Sequence, residues 1–473
     1  MSPLSLELRF FAGTLEVRAA DLRALADLEL PRCSYDDRTP CLRAPAYAYA
    51  EVLPAVLRLQ KQGLVVVVDN ARRYEELTLV ASTAPALRAY QEEALSAWKK
   101  ARGRGVVVLP TGAGKTEVAL AAIADRQRST LVVAPTLDLV RQWHQALATR
   151  FGVDGVPCAV GLVGGGEHTV LPLTVTTYDS AWAHMEHLGN RFGFIVFDEC
   201  HHLVADSYAF AARLCLAPYR LGLSATPERP DGKDALFDEL VGPIVARTEI
   251  DELQQAHGGQ YLADYDVVTV TVELSAVERA AYDQARAIYK NFVLDQRISM
   301  GSSDGWNRFL RVAHQSSEGR AAFGAWRLQK RLANAAEQKL KHVEDILRRH
   351  EGVRVLVFSD DNATAYAVSR RFLVPVISHQ TKVKERTRLL KAFAEGELPV
   401  LATSRVLNEG IDVPDAQVAV IVSGSGTIRE HVQRLGRVLR PRPGKRAVLY
   451  ELVSQNTNET FTSERRRDHV AYR

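Results

Sequence analysis

The 473-residue chain is too long to close around one hydrophobic core, so about three domains are expected. Apolar and charged fractions of 47% and 25% exclude a disordered or fibrous chain, and five scattered cysteines without a C-x-x-C pair argue against a zinc or iron–sulfur centre. A net charge of +4 permits a nucleic-acid partner but assigns the binding to some local basic face.

Residues 4 to about 80 read as a small α+β module. Apolar alternation around Ala12-Gly13 predicts a β-hairpin, helical periodicity follows near 20–28 and 48–62, and 64–69 reads as a buried strand. Between the helices, residues 33–47 are rich in charge and proline and are expected to form an exposed loop.

From about residue 85, apolar runs at 106–109, 130–134, 173–177, 194–197 and 219–224 alternate with helical stretches, the pattern of a parallel sheet covered on both faces. The first run leads straight into Pro110-Thr111-Gly112-Ala113-Gly114-Lys115-Thr116, and 117–124 continues as a helix. That is a P-loop. Backbone N–H groups over Thr111, Gly112, Ala113 and Gly114 cradle phosphates, Lys115 reaches the β/γ oxygens, and the Thr116 hydroxyl serves Mg²⁺. The fourth run ends in Asp198-Glu199, which suits a carboxylate holding Mg²⁺ beside one that activates water. His201 and His202 lack a third ligand at useful spacing, so a hydrogen-bonding link from His201 to Ser224 or to a later lobe is expected instead.

Ahead of the P-loop, Arg88 and Gln91 are nucleotide-binding candidates. A Gln amide can donate to N7 and accept from the N6 amine of adenine, so Gln91 can select ATP over GTP. Strands ending in Pro135-Thr136 and in Thr177 present hydroxyl-rich turns suited to a phosphate backbone.

After a short strand at 265–272 comes a long, mostly charged helical stretch to about residue 350. The α/β rhythm then returns at 353–358, 374–377, 400–402, 418–422 and 447–452. In the helical insertion, basic residues outnumber acids and are interleaved with Tyr289, Phe292, Trp306, Phe309 and Trp326. Such a segment can grip a phosphate backbone, with Trp306 against the bases, or it can be a hairpin with an aromatic core and a solvated basic face. Near the end, Gln433-Arg434-Leu435-Gly436-Arg437-Val438-Leu439-Arg440 places Arg437 and Arg440 on one helix face, where they can act as arginine fingers on a γ-phosphate.

Taken in order, Gln91, the P-loop, Asp198-Glu199-Cys200-His201, Ser224-Ala225-Thr226, the stretch from Thr403 to Pro414 and Gln433 to Arg440 resemble the motifs of superfamily 2 helicases. The last motif, the opening module and the helical insertion resemble the XPB-type DNA repair and transcription helicases in their short archaeal or bacterial form. The resemblance implies an α/β fold of two RecA-like P-loop lobes, with a small N-terminal α+β domain and a helical thumb inserted in the second lobe. It divides the chain into a damage-recognition-like domain at 1–82, an ATP-binding lobe at 83–250, and a second lobe at 251–473 with the thumb at about 275–340. It implies ATP and Mg²⁺ as cofactors and duplex or forked DNA as partner. It further implies 3′→5′ movement by a monomeric motor, a nuclease partner, and residence in a prokaryotic cytoplasm rather than a membrane.

By the same resemblance, Ser224 and Thr226 couple hydrolysis to movement, with Thr403 among the DNA-coupling residues. Gly410 and Asp412 line the nucleotide cleft, and Gln433 joins Arg437 and Arg440 in catalysis. One departure stands out: the family's Arg-Glu-Asp triplet reads Arg229-Pro230-Asp231 here, which removes a charge and a backbone donor from an element used in unwinding. An ATP-switched scaffold that opens DNA for a nuclease therefore stays open as an alternative to a helicase. So does an RNA helicase, although the DEAD-box type carries Asp-Glu-Ala-Asp where this chain has Asp198-Glu199-Cys200-His201.

Overall fold

Alternation of buried Leu6 and Leu8 with polar neighbours builds strand Leu4–Phe11, which pairs antiparallel with Thr14–Ala19. The computed structural model that shows this describes residues 3–81, 86–153, 156–228, 232–249, 252–253, 264–301, 304–404, 416–424, 446–460 and 463. It divides into two compact units, Met1–Thr248 and Glu249–Arg473.

In the first unit a five-stranded sheet runs in the order Ser34–Asp36, Cys41–Pro45, Thr14–Ala19, Leu4–Phe11, Val65–Asp69. Residues 33–47, expected to be an exposed loop, instead supply two of these strands, and Cys41, Leu42, Ala44 and Tyr47 are buried. The charges that suggested a loop are spent across the sheet. Arg43 pairs with Glu16 and Asp36, each at 2.8 Å, so the polar residues satisfy one another on a sheet face.

This sheet is seated on the α/β layer that follows. Leu216 enters its core, the Tyr47 hydroxyl donates to Glu239 at 2.6 Å, and Asn190 donates to the Ala71 carbonyl at 3.0 Å. Beneath the contact lies Arg220, fully buried, whose guanidinium donates to the carbonyls of Ala212, Cys215, Ala217 and Leu240 at 2.5–3.0 Å. Replacing Arg220 with Met should leave several buried carbonyls without donors. The expected cost is on the order of 3 kcal/mol or more, read as a lowered urea midpoint; an unchanged midpoint would show that the carbonyls find other donors.

The α/β layer is an eight-stranded sheet. From one edge it runs Glu167–Thr169, Gly161–Gly164, Leu173–Thr177, Thr130–Ala134, Phe194–Phe197, Tyr219–Ser224, Arg104–Val108, Ile244–Arg247. Only the edge pair Glu167–Thr169 with Gly161–Gly164 is antiparallel. The second unit holds a six-stranded, all-parallel sheet in the order Asp264–Val272, Arg446–Ser454, Val418–Ile421, Val355–Phe358, Val400–Thr403, Val376–Ile377. Helices Ala276–Asp295, Gly305–Ala313 and Ser317–Asn334 form the insertion, the first opened by a reciprocal Ser275/Glu278 capping box. Phe292, Phe309 and Ala322 are buried at its centre, with Trp306 and Phe323 packed against them, so its aromatic residues chiefly build a core. Among the described residues no helix is long and apolar enough to cross a membrane.

Candidate active site in the first unit

The strand order sets Arg104–Val108 beside Tyr219–Ser224, and that strand beside Phe194–Phe197. Because all three are parallel, the P-loop, Ser224 and Asp198-Glu199 emerge at the same carboxyl edge, where open α/β sheets bind ligands. Gly112 and Gly114 take φ of +86° and +80°, a region that side chains disfavour, and the loop curls straight into helix Lys115–Arg126. A Cβ at Gly114 would collide with the Gln91 amide.

The Lys115 ammonium lies 3.4 Å from the Leu109 carbonyl and 3.6 Å from Glu199 Oε1, with both side chains about nine-tenths buried. Glu199 itself has a left-handed backbone, φ +46°, a strain that persists only where surrounding packing imposes it. Asp198 Oδ2 accepts from the Trp143 indole N–H at 2.8 Å, Oδ1 accepts from the Glu199 N–H at 3.0 Å, and the Asp198 carbonyl accepts from the Tyr178 hydroxyl at 3.0 Å. The Asp198 carboxyl lies above its ordinary value, chiefly because burial disfavours its charge and next because the Glu199 carboxylate adjoins it; the Trp143 N–H and Lys115 oppose the rise.

His201 Nδ1 is 3.2 Å from Ser224 Oγ and 3.5 Å from Glu199 Oε2, and Ser224 Oγ also accepts the Thr226 N–H at 3.1 Å. A chain of close contacts thus leads from Glu199 to the turn after the neighbouring strand, hydrogen-bonded from His201 through Ser224 to Thr226. Gln91 is buried and points at the P-loop: its amide donates to the Ala113 carbonyl at 2.8 Å and accepts the Arg88 N–H at 2.9 Å. An adenine edge would have to compete for both atoms.

Thr136 and Thr177 spend their hydroxyl oxygens as N-caps of helices Leu137–Arg150 and Tyr178–Leu188, accepting from Leu139 and Ser180 at 3.3 and 3.1 Å. What these turns offer an anion is the positive end of a helix. In the second unit, Thr403 is buried and donates to the Ser404 carbonyl at 2.9 Å, and Trp306 packs on Phe309 and Trp326 at ring distances of 5.4 and 4.6 Å. Arg229, Asp231, Gly410, Asp412, Gln433, Arg437 and Arg440 lie outside the described residues.

Three aromatic donors went unnoticed in the sequence. Trp143 and Tyr178 hold the Asp198 turn, and Tyr90 donates to the same Ala113 carbonyl at 2.8 Å. Their one signal is chemical: a buried Trp or Tyr needs a partner for its polar atom.

A nucleotide triphosphate with its divalent cation fits what is present. Thr111 Oγ1 is buried without a hydrogen-bond partner, glycines floor the loop where backbone must approach an anion, and Asp198 and Glu199 place two carboxylates together against the cost of burial. Mg²⁺ needs only one or two protein carboxylates when phosphates supply the rest. The described residues accordingly hold no group of three or more His, Cys, Asp or Glu side chains able to bind a metal by themselves.

Three protein families match the chain. Residues 8–71 match the Xeroderma pigmentosum group B helicase damage recognition domain, 84–229 the type III restriction enzyme res subunit, and 324–472 the ERCC3/RAD25/XPB C-terminal helicase. The DNA 3′-5′ translocase XPB2 of Sulfurisphaera tokodaii is 37% identical over 461 residues, 98% of this chain and 99% of the relative. The DNA 3′-5′ helicase XPB of Kineococcus radiotolerans is 34% identical over 398 residues, 82% of this chain but 62% of the relative. The crystal structure of the Pyrococcus furiosus Hef helicase domain superposes with a TM-score of 0.51 at 18% identity, covering 80% of this chain and 98% of that one, a likeness of fold.

Proposed function

The chain belongs to the XPB family of DNA helicases and translocases, and from that premise we propose that it is an ATP-driven motor that moves 3′→5′ along DNA, in repair or transcription-linked opening. The observation that carries the chemistry is the Lys115–Glu199 approach of 3.6 Å at the P-loop, with Asp198 adjoining. Lys115 and the loop N–H groups bind the β- and γ-phosphates, while Thr116 and Asp198 would hold Mg²⁺. When bound, the cation neutralises charge that develops on the transferred phosphoryl group. Glu199 orients the attacking water and takes its proton, and Arg437 and Arg440 stabilise γ-phosphate charge with Gln433 alongside them. Gly410 and Asp412 contribute to nucleotide binding.

Occupancy of the site reaches DNA through Glu199, His201, Ser224 and Thr226, whose contacts are described above. The capped helices after Thr136 and Thr177 receive backbone phosphates, with Thr403, Trp306, Arg229 and Asp231 acting on the same substrate. In this reading residues 1–82 sense duplex distortion, 83–250 form the ATP-binding lobe, and 251–473 form the second lobe with its thumb. We further propose a monomeric motor in a prokaryotic cytoplasm, served by a separate nuclease.

Duplex DNA is expected to stimulate ATP turnover more than RNA does, and the reverse preference would overturn the assignment to DNA. Pro230 sharpens a second comparison. ATP-dependent displacement of a DNA triplex without unwinding of a forked duplex indicates translocation alone, whereas ATP turnover with neither activity favours the switched scaffold.

A further inference from the structure

Helix Leu137–Arg150 buries Val140, Trp143 and Leu147, at spacings of three and four residues, against strands Thr130–Ala134 and Leu173–Thr177. Of the three, only Trp143 carries a polar side-chain atom, and a buried indole N–H needs an acceptor. Trp98, equally buried, meets that need with a backbone oxygen, the Arg220 carbonyl at 2.9 Å. Trp143 does not. Its N–H goes to a carboxylate, Asp198 Oδ2 at 2.8 Å, beside the P-loop lysine's partner Glu199.

The backbone of Asp198 is held without Trp143. Its N–H donates to the Val133 carbonyl at 2.9 Å, and its carbonyl accepts the Tyr178 hydroxyl at 3.0 Å. Strand Phe194–Phe197, which delivers it, lies between two parallel neighbours. What Trp143 adds is therefore the rotation of the carboxylate. The other donor to that group, the Glu199 N–H at 3.0 Å from Oδ1, belongs to the same turn, whereas Trp143 ties it to a separate helix. A carboxylate offers about four acceptor sites, so with these two donors in place it keeps capacity on the side of a ligand. Fixed rotation matters more for one cation than for another. Mg²⁺ demands near-ideal octahedral geometry at short distances, whereas Ca²⁺ accepts flexible ligands that bind through one oxygen or two.

We propose that Trp143 is a positioning residue that makes the nucleotide site select Mg²⁺ over Ca²⁺, by locking the Asp198 carboxylate through its indole N–H. The proposal rests on the reading of Asp198 as the carboxylate that holds Mg²⁺, and Trp143 acts only through it. An outer donor that orients a metal-binding group is worth about 10–100-fold in metal affinity. Without the N–H, the carboxylate is free to rotate on a fixed backbone, which costs the geometrically strict ion more than the tolerant one.

The test compares the parent with Trp143→Phe, by anisotropy of a fluorescent ATP analogue in EDTA and over titrations with MgCl₂ and CaCl₂. Phe keeps an aromatic ring between helix and sheet and removes only the donor. Affinity for the metal-free analogue should match the parent. The Mg²⁺ concentration at half-response should rise by about 10-fold or more and that for Ca²⁺ by much less, so discrimination falls. Equal Mg²⁺ and Ca²⁺ responses in the two proteins overturn the role of Trp143 and leave Asp198 as the holder of Mg²⁺. A parent whose analogue affinity ignores Mg²⁺ overturns both. Weaker metal-free binding with an equal loss for both ions marks a packing residue and overturns the proposal. If the variant fails to fold, the parent decides. Its Trp143 indole N–H resonance should shift when Mg²⁺ joins the bound analogue, and shift differently with Ca²⁺; a resonance indifferent to the ions overturns the proposal.

Discussion

Alanine in place of Lys115 is expected to lower ATP turnover by at least about 10²–10³-fold, the usual loss when one preorganised electrostatic contact to developing charge is removed. The ammonium has a defined place: it begins helix Lys115–Arg126, is about nine-tenths buried, and is shared between the Leu109 carbonyl and Glu199. In that low-dielectric setting its interaction with phosphate oxygens is screened little by water. Phosphate release in the steady state provides the measurement, and DNA binding without nucleotide provides the control for folding. Parent-like turnover would mean that this loop is not the phosphate cradle.

Glu199→Gln should slow hydrolysis by roughly 10²–10⁴-fold, the range for losing a general base, while nucleotide binding persists. Gln keeps the size and hydrogen-bonding reach of Glu but cannot take a proton. It also removes the carboxylate that helps push the Asp198 carboxyl upward, so binding of a triphosphate should hold or strengthen. Single-turnover hydrolysis, compared with affinity for a fluorescent ATP analogue, separates the two effects. If both fall together, Glu199 is structural: its φ of +46° already shows a backbone held in place by its surroundings.

The legibility of the fold followed burial. Runs at 130–134, 173–177, 194–197 and 219–224 coincide with strands, because interior parallel strands are covered on both faces and appear as unbroken apolar runs. Strands at the margins did not show. Gly161–Gly164, Glu167–Thr169 and Ile244–Arg247 are only three or four residues long, too short to carry a period of their own, so their pairing depends on what lies beside them. Residues 33–47 failed as a loop for the same reason: Arg43, Glu16 and Asp36 look like a solvated set until the sheet brings them into register.

At the candidate site, sequence alone determined what is contiguous. Strand, glycine turn, Lys115 and Thr116 fall within eleven residues, and Asp198-Glu199 closes one apolar run, so neighbouring chain dictates both the backbone shape and the chemistry it carries. Tertiary structure alone decided who holds these groups in place. Trp143 reaches Asp198 across 55 residues and Trp98 donates to the Arg220 carbonyl across 122, while Gln91 turns its amide onto the P-loop. A helical pattern can report that such a side chain is buried. Which polar atom satisfies it depends on strand order and crossover, because a buried donor takes whichever acceptor the packed sheet brings within reach.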